Sequence, residues 1–110
     1  MRKSFDIYNY DRILKRSFER IKESEIDETS KTLFLEFLDD CFANSLSKPR
    51  VIKYAETLLQ LARIASKPFP LLKKDDIAHI VREVESRDYS DWTKRDFKIV
   101  LKRFFRWLRK

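Results

Sequence analysis

Hydrophobic residues recur at alternating spacings of three and four along five stretches of the chain, a pattern that predicts amphipathic α-helices. The predicted helices cover residues 6–23, 28–44, 48–65, 74–86 and 91–110. Four residues that favour the N-cap position precede or begin them, namely Asp6, Asp27, Ser47 and Ser90. Pro49 falls in a first turn, where its missing N–H costs no hydrogen bond. The sequence therefore predicts an all-α bundle of about five helices.

Each predicted helix carries one apolar face, and these faces define the expected core. The second helix has the densest seam: Leu33, Phe34, Phe37, Leu38, Cys41 and Phe42. The other faces are Tyr10, Ile13, Leu14, Phe18 and Ile21; Val51, Ala55, Leu58, Ala62 and Ala65; Ile77, Ile80, Val81 and Val84; and Phe97, Val100, Leu101, Phe104, Trp107 and Leu108. Cys41 is expected to be a buried small hydrophobe. Trp92 is either a core residue or an exposed anchor, and we favour the core.

Composition narrows the chemistry that this chain can perform. The 110 residues suffice for a single domain, and 43% of them are hydrophobic. Glycine is absent, which excludes Gly-rich phosphate loops and dinucleotide-binding turns. One cysteine and one histidine exclude intrachain disulfides and zinc fingers. No cofactor or metal is expected, because Asp75 and Asp76 are typical helix-start residues and His79 lies off the apolar face.

The apolar runs are too short to span a bilayer, and the segment after Met1 lacks the apolar core of a signal peptide. We therefore expect a cytoplasmic protein without a membrane partner. A basic terminal helix with Trp and Phe can lie on anionic lipid. We disfavour that interpretation because the apolar face of this helix is needed to close the bundle.

Positive charge is concentrated at two places. Residues 91–110 hold eight Lys or Arg against two Asp, and residues 47–72 carry a net charge of +4, whereas residues 1–46 carry −2. At 100° per residue the basic side chains of the last helix form one stripe: Arg95, Lys98, Lys102, Arg106 and Arg109. A solvated face is the simpler explanation. We favour a polyanionic partner, because like charges at i,i+4 repel and few acids interrupt the stripe.

The start of the third helix is also basic, with Lys48, Arg50, Lys53 and Tyr54 in its first turns. Cations there oppose the helix dipole, whereas a bound phosphate would be attracted by the same dipole and by the free N–H groups.

Several short motifs occur in a recognisable order. These are FLEFLDDCFAN; Leu46-Ser47-Lys48-Pro49-Arg50-Val51-Ile52-Lys53-Tyr54; a D-D-I helix; Y-S-x-W-T; and F-F-R-W-L. Together they resemble the N-terminal, SAM-like core-binding domain of tyrosine recombinases, most closely archaeal integrases of the phage-integrase family. The resemblance covers roughly residues 26–110. Residues 1–25 are expected to form a separate N-terminal helix that packs on the bundle or on a neighbouring protomer.

The resemblance implies a helical bundle that forms half of a C-shaped clamp around DNA, with the third and fifth helices at the major groove. By position it assigns DNA contacts to Ser47, Arg50, Lys53, Tyr54, Ser90, Thr93 and Lys94. Arg50 replaces the commoner Thr of the family motif, which substitutes a charge-assisted phosphate contact for a hydroxyl contact. Lys48, Arg95, Lys98 and Lys102 come from the charge pattern instead.

In that family, DNA is cut by a tyrosine in a C-terminal domain that has no counterpart before Lys110. The expectation is therefore a non-enzymatic DNA-binding portion of an integrase, with double-stranded DNA and other recombinase protomers as partners and no small-molecule substrate. Five to seven phosphate contacts would give a log–log salt slope of about −5 to −6. The alternative is a helical protein-interaction or oligomerisation module with a solvated basic face.

Overall fold

The predicted helices are present at the predicted positions. The computed structural model describes residues 10–109, and within them the chain forms five α-helices and one 3₁₀ turn. They are α1 Tyr10–Glu23, α2 Glu28–Ala43, α3 Lys48–Ala65, the 3₁₀ turn Phe69–Leu71, α4 Lys74–Ser86 and α5 Asp91–Leu108. The all-α prediction is confirmed. The predicted start at Asp6 lies outside the described residues.

Side chains cap the N-termini of the helices as predicted. The Asp27 carboxylate accepts the N–H of Ser30 at 2.8 Å, and the Ser47 hydroxyl oxygen accepts the N–H of Arg50 at 3.4 Å. At α4, Asp76 accepts the N–H of Lys73 at 2.8 Å, so this carboxylate serves the helix start. The backbone N–H groups of a first turn have no partner within their own helix, and these oxygens supply one.

Helix α3 lies at the centre of the bundle and packs against α1, α2, α4 and α5. Val51, Ala55, Leu58 and Leu61 are at most 1% exposed. Alanine at Ala55 lets a neighbouring helix approach closely. Because four helices hold α3 in place, the position of its basic N-terminal turn is fixed relative to α5.

Aromatic rings fill the space between α2 and α5. The Phe34 ring meets those of Phe69 and Phe104 edge-on, with centroids 5.0 and 5.3 Å apart. Phe37 lies parallel to the ring of Tyr54 at 6.3 Å. Phe69 comes from the 3₁₀ turn, and its N–H donates to the buried hydroxyl of Ser30 at 2.9 Å. This connector is therefore anchored in the core by both a ring and a hydrogen bond.

The chain turns after α2 and α3 through left-handed residues, Ser45 (φ 73°) and Ser66 (φ 61°). Glycine normally fills such positions. With no glycine in the sequence, serine adopts the conformation at a cost of roughly 1 kcal/mol each.

Three of the core assignments are wrong. Trp92 is 72% exposed, Phe42 45% and Ile13 39%. Cys41 is half-buried and packs against the core, and desolvation raises the pKa of its thiol. Helix α1 packs against α3 and α2, with Ile21 only 1% exposed. Within the described residues no helix is both long and apolar enough to cross a membrane.

Candidate nucleic-acid interface

The N-terminal parts of α3 and α5 line a common cleft of about 450 Å³. We call it the α3–α5 cleft; its lining residues are Arg50, Lys53 and Tyr54 from α3 and Trp92, Arg95, Asp96, Ile99 and Val100 from α5. The two helices begin at the caps Ser47 and Ser90, neither of which lines the cleft. The two basic segments that are distant in sequence therefore share one surface.

The α3 wall of this cleft combines cations with a buried phenol. Arg50 is exposed and forms no ion pair with any described residue, whereas Lys53 lies 3.5 Å from a carboxylate oxygen of Asp96. Tyr54 is 4% exposed, and its hydroxyl has no hydrogen-bond partner among the described residues. A buried polar group without a partner is uncommon in folded proteins, so this hydroxyl calls for an explanation.

The α5 wall presents an aromatic face to solvent. The guanidinium carbon of Arg95 lies 5.5 Å from the centroid of the Trp92 ring, within the range of a cation–π contact. Ile99, one turn beyond Arg95, is 38% exposed. This wall therefore offers an indole, a guanidinium and an aliphatic side chain together.

A second basic cleft adjoins the first, between α4 and α5. This α4–α5 cleft has a volume of about 440 Å³ and is lined by Lys94, Arg95, Lys98, Ile99 and Lys102 with Glu85 and Asp91. Because Arg95 and Ile99 line both clefts, the two lie side by side along α5. Three residues of the predicted stripe, Arg95, Lys98 and Lys102, thus line these clefts, whereas Arg106 and Arg109 line neither.

The charge of the basic stripe on α5 differs from the sequence prediction in one respect, because an acidic residue of another helix pairs with it. Lys98 is ion-paired with Glu85 of α4, and the hydrogen bond from Lys98, with the charges of Lys98 and Lys94, lowers the pKa of that carboxyl. Part of the counter-charge to the stripe therefore comes from the protein itself. Helical periodicity within α5 cannot reveal Glu85, because it belongs to another helix.

The remaining predicted site residues lie around these clefts. The Ser90 hydroxyl accepts the N–H of Thr93 at 3.2 Å and lies 3.1 Å from the Thr93 hydroxyl oxygen. Thr93 lines a smaller depression of about 190 Å³ beside Lys53. Lys48 pairs with Asp11 of α1 at 2.5 Å. The structure gathers seven of the predicted site residues at the two basic clefts: Arg50, Lys53, Tyr54, Lys94, Arg95, Lys98 and Lys102. The other four, Ser47, Lys48, Ser90 and Thr93, line neither cleft.

The sequence-based assignment of Trp92 to the core is wrong, although its angular position on α5 indicates an exposed side chain. At 100° per residue, Trp92 lies about 60° from Arg95 and about 140° from Phe97, so it belongs to the basic side of α5. Its exposure of 72% agrees with that angle.

Comparison with protein-family models, curated proteins and solved structures finds no match to this chain. The described residues contain no group of three or more His, Cys, Asp or Glu placed to hold a metal ion. The features that bear on function are thus two adjacent basic clefts, an exposed Trp–Arg pair and a buried phenol hydroxyl.

Proposed function

We propose that this chain binds double-stranded DNA, as the core-binding domain of a tyrosine recombinase or integrase that clamps the recombination site with α3 and α5. The observation that supports this best is that cations from the N-terminal turns of α3 and α5, Arg50, Lys53 and Arg95, line one cleft beside a second basic cleft. A purely solvated basic face gives no reason for two separate helix starts to converge. A duplex backbone does, because it presents rows of phosphates.

Phosphate contacts provide most of the affinity in this proposal. Arg50 lies in the first turn of α3, where the helix dipole adds to its attraction for an anion, and Arg95 has a planar guanidinium suited to two phosphate oxygens. Such contacts position the protein on the duplex and read no sequence by themselves. Specificity is therefore modest for this chain alone.

The number of free cations sets the expected salt dependence. Four cleft residues form no ion pair with described residues: Arg50, Lys94, Arg95 and Lys102. Lys53 and Lys98 can exchange exposed ion pairs for phosphates, since such pairs contribute only about 0–1 kcal/mol. Four to six phosphate contacts give a log–log salt slope between about −3.6 and −5.4.

Fluorescence anisotropy of a labelled duplex over a range of salt concentrations tests the proposal. Arg95→Ala should weaken binding to every duplex sequence by about 1 kcal/mol and reduce the slope by about one unit. Lys15→Ala is the matched control, because it removes the same charge from the exposed face of α1. A slope near zero, or equal losses in the two variants, would contradict the proposal.

The alternative, a protein-interaction module, makes a different prediction. It requires a concentration-dependent oligomer in the absence of DNA, which sedimentation at low and high salt detects. A monomer that binds duplex DNA with the slope given above excludes it.

A further inference from the structure

We propose that the α3–α5 cleft receives one nucleotide whose base is unstacked from the DNA, with the base on the Trp92 ring and its phosphate at Arg50. The inference rests on the proposed function and goes further, because it names the ligand of one cleft. The inference applies to the α3–α5 cleft alone, because the α4–α5 cleft is lined by cations without an aromatic ring.

The exposed indole of Trp92 is the first observation that supports a bound base. Among the described residues it is the most exposed large hydrophobic side chain, at 72%, and Arg95 lies against its ring. Aromatic rings flanked by cations are the usual platform on which proteins stack nucleobases. A base inside an intact duplex has both faces covered by its neighbours, so only an unstacked base can cover such a ring.

The residues that line the cleft are the second observation, because their chemistry fits a nucleotide. Its lining includes three cations, Arg50, Lys53 and Arg95, against the single carboxylate of Asp96, a net charge of +2. Tyr54, Ile99 and Val100 add ring and aliphatic surface. A flat, largely apolar group that bears an anion fits this combination, and a nucleotide is such a group. A phosphate alone makes no use of the indole.

The buried hydroxyl of Tyr54 adds an independent observation. Tyr54 lines the cleft, and its hydroxyl lacks a partner among the described residues. Base edges and sugar hydroxyls carry hydrogen-bond donors and acceptors. The hydroxyl oxygen is buried from solvent, so a nucleotide in the cleft pairs with it only if the side chains that cover it move on binding.

The test compares two labelled duplexes of the same sequence, one fully paired and one with a single unpaired thymidine, by anisotropy at fixed salt. The wild-type protein should bind the bulged duplex about tenfold more tightly, since stacking of one base on an aromatic ring accounts for a factor of this order. Trp92→Ala should abolish the difference, and Trp92→Phe should keep most of it. Because Trp92 is exposed, both variants should melt at the wild-type temperature.

Tryptophan fluorescence gives a second readout. The bulged duplex should quench the wild-type emission more than the paired duplex, and Trp92→Phe should remove that excess while Trp107 remains as an internal reference. Equal binding of both duplexes, or an equal loss for both in Trp92→Ala, overturns the inference and leaves the proposed function intact. Failure to bind either duplex overturns the proposed function itself.

Discussion

Replacing Tyr54 by Phe removes one buried hydroxyl from a residue that lines the α3–α5 cleft and should stabilise the free protein. The side chain is 4% exposed, its hydroxyl has no hydrogen-bond partner among residues 10–109, and its ring lies parallel to that of Phe37. Leaving a buried hydroxyl unpaired costs about 1–3 kcal/mol, while the ring contact persists in phenylalanine. We expect the free energy of unfolding to rise by about 1 kcal/mol, which corresponds to roughly 4 °C in the melting temperature of a domain this size.

Thermal unfolding followed by circular dichroism measures this change in the absence of DNA. Tyr89→Phe is the matched control, because the Tyr89 hydroxyl already has a partner in the guanidinium of Arg87 at 3.2 Å and its surroundings are more exposed. We expect that variant to stay within about 0.5 kcal/mol of the wild type. A melting temperature several degrees lower in Tyr54→Phe would show that the Tyr54 hydroxyl is hydrogen-bonded in the folded protein. That result would contradict the assignment of this hydroxyl as unpaired.

Two further substitutions separate binding from folding. Glu85→Gln releases Lys98 from its exposed ion pair and should tighten duplex binding up to about fivefold at low salt, an effect that salt removes. Glu83→Gln removes the same charge from the same helix at a residue that forms no ion pair with residues 10–109, so equal tightening in both variants would contradict the role of the pair. Ser30→Ala leaves the buried N–H of the 3₁₀ turn without its acceptor and should cost about 1–3 kcal/mol in chemical denaturation, whereas the exposed Thr29→Ala should cost little.

The helices of this protein are predictable because local and tertiary preferences agree. Several boundaries coincide with a local signal, as with Asp27 before α2, Ser47 before α3 and Ser90 before α5. Phe69 is an exception, because its burial does not follow from local sequence preferences. It lies between two prolines in a connector, yet it is fully buried among the rings of α2 and α5. Periodicity cannot identify such a residue, because a single buried side chain in a turn has no period.

The candidate site was predictable only in part. The cations of α5 follow from one helical face, but their partners depend on how the helices pack, which is why Glu85 was not foreseen. Tyr54 was predicted at the interface from its place in a motif, and the structure places its ring in the core with one edge of the side chain lining the cleft. Sequence alone identified which helices carry the charge, while packing determined which charges remain free.

The carboxylates within the clefts bear on selectivity. Asp96 and Glu85 each hold one lysine in an exposed ion pair, Lys53 and Lys98 respectively. Any polyanion must displace these carboxylates before it can use the two lysines, and each displacement offsets part of the gain. A ligand that also covers the Trp92 ring has an additional source of affinity that a simple polyanion lacks. On the proposed function, these ion pairs lower the affinity for polyanions that do not cover the Trp92 ring, and they leave the proposed contacts to an unstacked base unchanged.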